Sequence, residues 1–266
     1  MFKRVAHVVD VETAGYPDDG PDDVVEVGVT MVEFTETSTS VSKPDSWLVR
    51  PVRPITALGK SIHHIVDGDV SGAPPLAAVM QKLVAIVPPA DVYVAHNYHT
   101  EQRFLPALAE REWICTLKVA RHLCPEAKNH KNGFIRYFLG SIDEASAHDR
   151  ALAHPPHRAG PDSYVTARNL IKLAERMSID AMVDLTASPP SVMPFGKWSG
   201  HKFAEIPTDY LQWMVDPEQS FDPDLTKAVR AEIARRGPQE LPLEQPGPAT
   251  IRRRYQRIDR PGPGVS

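Results

Sequence analysis

Apolar and polar residues alternate from Val24 to Phe34 (VVEVGVTMVEF), the period of a strand with one buried face. Before it, Arg4–Val11 (RVAHVVDV) is a β-rich run that ends in Thr13-Ala14-Gly15 and the turn-like stretch Tyr16–Asp23. Ser46–Arg50 reads as a third strand, closed by Pro51. Leu76–Val87 is apolar at helical spacing and stops at Pro88-Pro89. Asp91–Ala95 reads as a strand, Glu101–Arg111 as a helix and Glu112–Thr116 as a short strand. Asp162–Met177 is a strong amphipathic helix, with Pro161 suited to its first position. Three early strands followed by alternating helix and strand predict an α/β domain built on a mixed sheet.

The pattern breaks at Ser188–Met193 (SPPSVM), and a second unit follows with Trp198, Tyr210, Trp213 and a last helix near Asp222–Arg235. The organisation expected is a main domain over 1–177, a linker over 178–194, a small unit over 195–236 and a tail over 237–266. Proline supports the last boundary. The chain has 26 prolines in 266 residues, about twice the usual share. Six of them fall in the tail with few large apolar groups, a composition that reads as disordered.

Composition narrows the classes further. With 42% hydrophobic residues the body can bury a sizeable core, and no apolar run approaches a membrane span. The start does not read as a secretory signal. Cys115 and Cys124 lack C-x-x-C spacing and are expected to be buried as small hydrophobes, which fits a reducing, cytoplasmic setting. A net charge of −4 argues against a general nucleic-acid coating protein. It leaves room for an enzyme that keeps bare carboxylates for metal ions.

Asp10 and Glu12 stand at i and i+2 at the end of the first strand, so period two puts both on one face. Paired carboxylates repel unless a cation sits between them, and magnesium or manganese prefers such oxygen ligands. Glu101 and Asp162 each lie at the start of a predicted helix, where an acid is also favoured by the helix dipole. Singly, each has an ordinary explanation. The ordered set is more specific: D-x-E at 10–12, A-H-N-x-x-x-E-x-x-F-L at 95–105, and H-R-A-x-x-D-x-x-x-T at 157–166.

This set resembles the DEDDh (DnaQ-like) 3′–5′ exonuclease family, whose fold is ribonuclease-H-like with a mixed five-stranded sheet flanked by helices. The blocks 112–121 (EWICTLKVAR), 195–200 (FGKWSG) and 210–213 (YLQW) look like blocks of its bacterial exodeoxyribonuclease members. The likeness covers roughly residues 4 to 235. It implies that Asp10, Glu12, Glu101 and Asp162 hold two divalent metal ions, Mg²⁺ or Mn²⁺, with His157 as general base. It also implies a nucleic-acid partner, the 3′ ends of single-stranded or duplex DNA, with release of nucleoside 5′-monophosphates during DNA repair or recombination. Two ions can activate a water and relieve charge on the attacking and leaving oxygens. An imidazole can accept the proton near neutral pH. Two divalent ions would also bring the formal −4 to about zero.

Two positions depart from the family pattern. Glu101 stands where the family carries Asp, and one extra methylene moves a carboxylate by roughly 1 Å, enough to cost on the order of a hundredfold in rate. Ala14 follows Glu12-Thr13 at a position that varies among members.

Thr13, Tyr16, His96 and Asn97 are candidate substrate contacts. Thr13 offers a backbone N–H and a hydroxyl to the terminal nucleotide, and Tyr16 either stacks on the terminal base pair or packs on Pro17 as a turn tyrosine. Glu26 alternates with Val25 and Val27, which makes an exposed strand position its ordinary reading. The pairs His96-x-x-His99 and His154-x-x-His157 offer a rival zinc set, with surface histidines as the ordinary explanation. Other functional readings are an exoribonuclease or oligonucleotide-degrading enzyme of the same superfamily, and a weakly active or non-catalytic nucleic-acid-binding module. Oligomeric state is not legible in the sequence.

Overall fold

A computed structural model of the chain describes residues 3–219 and 221–237. Its strands are β1 (Lys3–Thr13), β2 (Val24–Thr35), β3 (Thr39–Val41), β4 (Asp45–Leu48), β5 (Val92–Ala95) and β6 (Trp113–Cys115). They form one mixed sheet in the order β3-β2-β1-β5-β6, with β4 also paired to β2. The β1–β2, β2–β3 and β2–β4 pairs are antiparallel, whereas β1–β5 and β5–β6 are parallel. The sheet is ribonuclease-H-like but has six strands where five were expected. The added strand is β3, three residues of Thr, Ser and Val, too short to show a period.

Three helices precede β5: α1 (Ala57–His63), α2 (Asp67–Val70) and α3 (Leu76–Val84). Between β5 and β6 lies α4 (His99–Phe104). After β6 come α5 (Thr116–Leu123), α6 (Asn132–Leu139), α7 (Ala147–Leu152), α8 (Ala159–Ala174) and α9 (Ile179–Ala187). Alternate strand residues divide between two cores, as a pleated sheet requires. Ala6, Val8, Val92 and Val94 pack with Ala167, Leu170 and Leu173 of α8 and Met182 of α9. On the other face, Val9, Val27 and Tyr93 pack with Val79 and Leu83 of α3 and Phe104 of α4. Cys115 and Cys124 are free and buried within these cores.

Three boundaries differ from the sequence reading. Helix α4 stops at Phe104 instead of Arg111, because Pro106 has no N–H to continue it and opens a separate 3-10 turn, Pro106–Leu108. Helix α8 starts at Ala159, so Pro161 is its third residue; the first intrahelical bond is donated by the Asp162 N–H to the Arg158 carbonyl. The lacking N–H of Pro161 therefore costs nothing, since the N–H groups of that first turn have no helical partner. Residues 179–187, expected within a linker, form α9, whose Ile179 and Met182 are buried in the main core.

A second compact unit begins at Ser188. It holds α10 (Thr208–Met214) and α11 (Pro223–Arg236) around Met193, Phe203, Tyr210 and Trp213. The Asp222 carboxylate caps α11 by accepting from the Asp224 and Leu225 N–H groups. The aromatic residues of this unit are thus largely its own core. The expected tail lies, from residue 238 onward, outside the described residues. No helix among the described residues is long and apolar enough to cross a membrane.

Candidate active site

The strand period sends Asp10 and Glu12 to the face covered by α8. Across the β1–β2 pairing Asp10 is opposite Gly28, and Glu12 is opposite Glu26. Gly28 is what lets the helix arrive: a Cβ there would lie 2.1 Å from the Ala159 carbonyl carbon and oxygen. The first turn of α8 therefore rests directly on the sheet and delivers Asp162 to the two β1 carboxylates. Oxygens of Asp10, Glu12 and Asp162 all lie within 4.8 Å of one another. Asp162 Oδ2 also accepts the His157 backbone N–H at 2.9 Å.

Glu101 enters from the first turn of α4. It is 3% exposed, and its Oε2 has no hydrogen-bond partner. It is not part of the close group of three, yet its charge raises Asp10 and is itself raised by Glu12. All four carboxyls are raised, first by burial. The Asp10 carboxyl is raised further by Asp162, Glu101 and Glu12. Glu12 is pushed up to about 8 by burial and by Asp162 and Glu26, with Arg158 opposing. Glu101 is pushed up to about 8, and Asp162 is raised against the pull of the His157 N–H. A buried carboxylate oxygen without a donor, beside three mutually repelling acids, fits a divalent cation with oxygen ligands.

The other residues singled out in the sequence fare differently. His157 is exposed, in the left-handed region at φ 57° on the loop entering α8. His96 is committed to the fold: Nε2 donates to the His130 carbonyl at 2.8 Å, and Nδ1 accepts from the Thr116 hydroxyl at 3.0 Å. Burial pushes its imidazole down to about 4. With both ring nitrogens in use, His96 has none left for a substrate or a zinc ion. Asn97 adopts φ 79°, a conformation Asn tolerates, and its amide donates to Thr100 Oγ1. The Thr13 hydroxyl donates to Asp19 Oδ2 at 2.7 Å. The Tyr16 hydroxyl donates to the Pro54 carbonyl, and the Arg53 guanidinium lies 3.9 Å over its ring. Thr13 and Tyr16 nevertheless line a cleft of about 310 Å³ that opens beside Glu12, with Leu58, Ile62 and His63 opposite.

The comparisons with known proteins fit this geometry. The chain is 29% identical over 231 residues to exodeoxyribonuclease 10 of Escherichia coli strain K12, covering 84% of this chain and 96% of that protein. A solved structure, exonuclease X in complex with 5′ overhanging duplex DNA, matches with a TM-score of 0.53 at 29% identity, over 68% of this chain and 99% of that one. These likenesses support a 3′–5′ exonuclease of the DnaQ-like type. It is also similar to the 3′-5′ exonuclease DinG of Bacillus subtilis, 25% identical over 186 residues, which are 66% of this chain and 18% of that protein. A model of the family described as "Putative quorum-sensing-regulated virulence factor" matches residues 182–221.

Several residues that position the site of this DnaQ-like exonuclease escaped the sequence reading. Glu26 is not an exposed strand residue; it is 1% exposed. Its carboxylate takes Arg158 in a two-pronged pair at 2.8 and 2.9 Å and accepts the Ala159 N–H at 3.0 Å. It thus caps α8 from the neighbouring strand and ties down the residue after His157. The signal was its phase: Glu26, Gly28 and Thr30 share the strand face that meets α8, and Thr30 bonds to Ser163 at 2.9 Å. His63 is buried, and its Nε2 donates to the Thr13 carbonyl at 3.0 Å. It braces the exit of β1, where Gly15 at φ 87° lets Thr56 and Gly59 of the α1 start close against the turn.

Proposed function

We propose that this DnaQ-like exonuclease removes nucleotides from the 3′ ends of DNA and releases nucleoside 5′-monophosphates. Asp10, Glu12, Asp162 and Glu101 would hold two magnesium or manganese ions, with His157 as general base. The observation that carries this reading is the meeting of three half-buried acids from β1 and α8, all raised by desolvation, with a fourth, buried acid donorless beside them. DNA as substrate follows from the likeness to exodeoxyribonuclease 10 and to exonuclease X, whose solved structure holds duplex DNA.

Divalent ions held there would supply charge relief on the attacking and leaving oxygens and ease deprotonation of water. The chain's own part is positional. The backbone of His157 is pinned to Asp162, so its imidazole is carried on the exposed loop at the edge of the carboxylate cluster. It takes a proton from the attacking water as the water oxygen bonds to phosphorus. The bond from phosphorus to the 3′ oxygen of the preceding nucleotide breaks, and that oxygen ends as a hydroxyl by taking up a proton. The cleft bounded by Thr13, Tyr16, Leu58 and Ile62 adjoins Glu12, where it would accommodate the departing nucleotide.

The test is digestion of 3′- and 5′-labelled single-stranded DNA, duplex DNA and RNA with magnesium or manganese, using Asp10→Ala as control. Metal-dependent shortening from the 3′ end of DNA, absent in the control, is expected. No digestion with either metal at high enzyme concentration refutes catalysis, and a preference for RNA refutes the assigned substrate.

A further inference from the structure

Helix α6 presents three aromatic side chains to solvent. Phe134 is 38% exposed, Tyr137 63% and Phe138 41%, while Ile135 between them is buried in the main core. The spacing i, i+3, i+4 sets all three on one helix face. Their geometry is ordered: the Phe134 and Phe138 rings lie 6.3 Å apart and within 19° of parallel. The Arg136 guanidinium, held by Glu144 in a two-pronged pair, sits 4.9 Å from the Tyr137 ring centroid.

The start of the helix is anchored on α8, at the backbone of Asp162. The Asn132 side-chain amide donates to the Asp162 carbonyl at 3.3 Å and to Thr166 Oγ1 at 2.8 Å, and Asn169 returns a bond to Asn132 Oδ1. From that anchor the aromatic face runs from Phe134 to Phe138, about 6 Å along the axis, the span of about two stacked bases. Lys128 and Lys131, both exposed, stand just before the helix.

We propose that this face is a stacking platform for single-stranded nucleic acid, taking the bases of the strand that leads into the active site. Planar rings on one face match the faces of bases of any sequence, and the two lysines match the phosphates. A patch built to receive a protein segment would gain as much from aliphatic side chains and has no need of the cations. The proposal rests on the exonuclease reading for its source of strand.

The test compares binding of a labelled 20-nucleotide single strand of mixed sequence, by fluorescence anisotropy in EDTA. The proteins are wild type, Phe134→Leu/Tyr137→Leu/Phe138→Leu, and Phe134→Tyr/Tyr137→Phe/Phe138→Tyr. At roughly 1–3 kcal/mol per stacked base, the leucine variant should bind about 10–100-fold more weakly, and the aromatic exchange should bind as wild type does. Equal affinity of the leucine variant overturns the platform, and so does a change in self-association without a change in strand affinity. In parallel, hydrolysis of a dinucleotide with manganese should stay within about twofold in the leucine variant, and an equal loss there overturns the proposal. Failure of the wild type to cleave the dinucleotide sinks the exonuclease reading, while the anisotropy series still decides the platform.

Discussion

At the scale of single residues, the carboxylates at 10, 12, 101 and 162 make the fold sensitive to pH. Glu12 and Glu101 are pushed up to about 8, with Asp10 and Asp162 also raised. A raised carboxyl favours the folded state while protonated, so its contribution is complete below the ordinary carboxylate range and is lost as pH rises toward 8. In EDTA the melting temperature should therefore fall between about pH 5 and pH 8. Added manganese should restore it more at pH 8 than at pH 5. A melting temperature that rises over that window in EDTA would contradict the raised values. Glu101 gives a second expectation. It already stands outside the close group, so Glu101→Asp, although it restores the family's residue, withdraws the carboxylate and should lower kcat about a hundredfold. Unchanged or higher activity would show that the longer arm is dispensable. Asp10, Glu12 and Asp162 were legible because strand period and motif spacing fix them locally. Glu26 was not, because its burial depends on a helix 132 residues away. Glu26→Gln weakens the Arg158 pair that seats the start of α8 and should lower activity about 10–100-fold by displacing Asp162, and unchanged kinetics would reduce Glu26 to a fold residue.

At the scale of elements, the site depends on one close approach, α8 on β2 at Gly28. Gly28→Ala puts a methyl group into the Ala159 backbone and forces the helix away. Overpacking of this kind costs about 1–3 kcal/mol, and activity should fall further than stability because Asp162 moves with the helix. A melt and a kcat/KM as in the wild type would show that the helix can slide without consequence. Strands β1, β2, β5 and helix α8 were readable from period alone. Helices α1, α5 and α6 were not, since each has seven or eight residues and is held by tertiary contacts more than by propensity. Helix α9 was lost in the supposed linker because its nine residues are held by packing in the main core more than by propensity.

At the scale of the whole molecule, the proposed pair of divalent ions would bring the formal charge of −4 to about zero. In the proposed reading the four acids hold metal ions, and they were visible in the sequence while their shielding from solvent was not. The most direct measurement is calorimetric titration with manganese at pH 8, comparing wild type with Asp10→Asn. The account expects manganese binding by the wild type, loss of that binding in the variant, and the same circular dichroism for both. Equal binding by the two proteins, or no binding by a wild type that still digests DNA in EDTA, would contradict it.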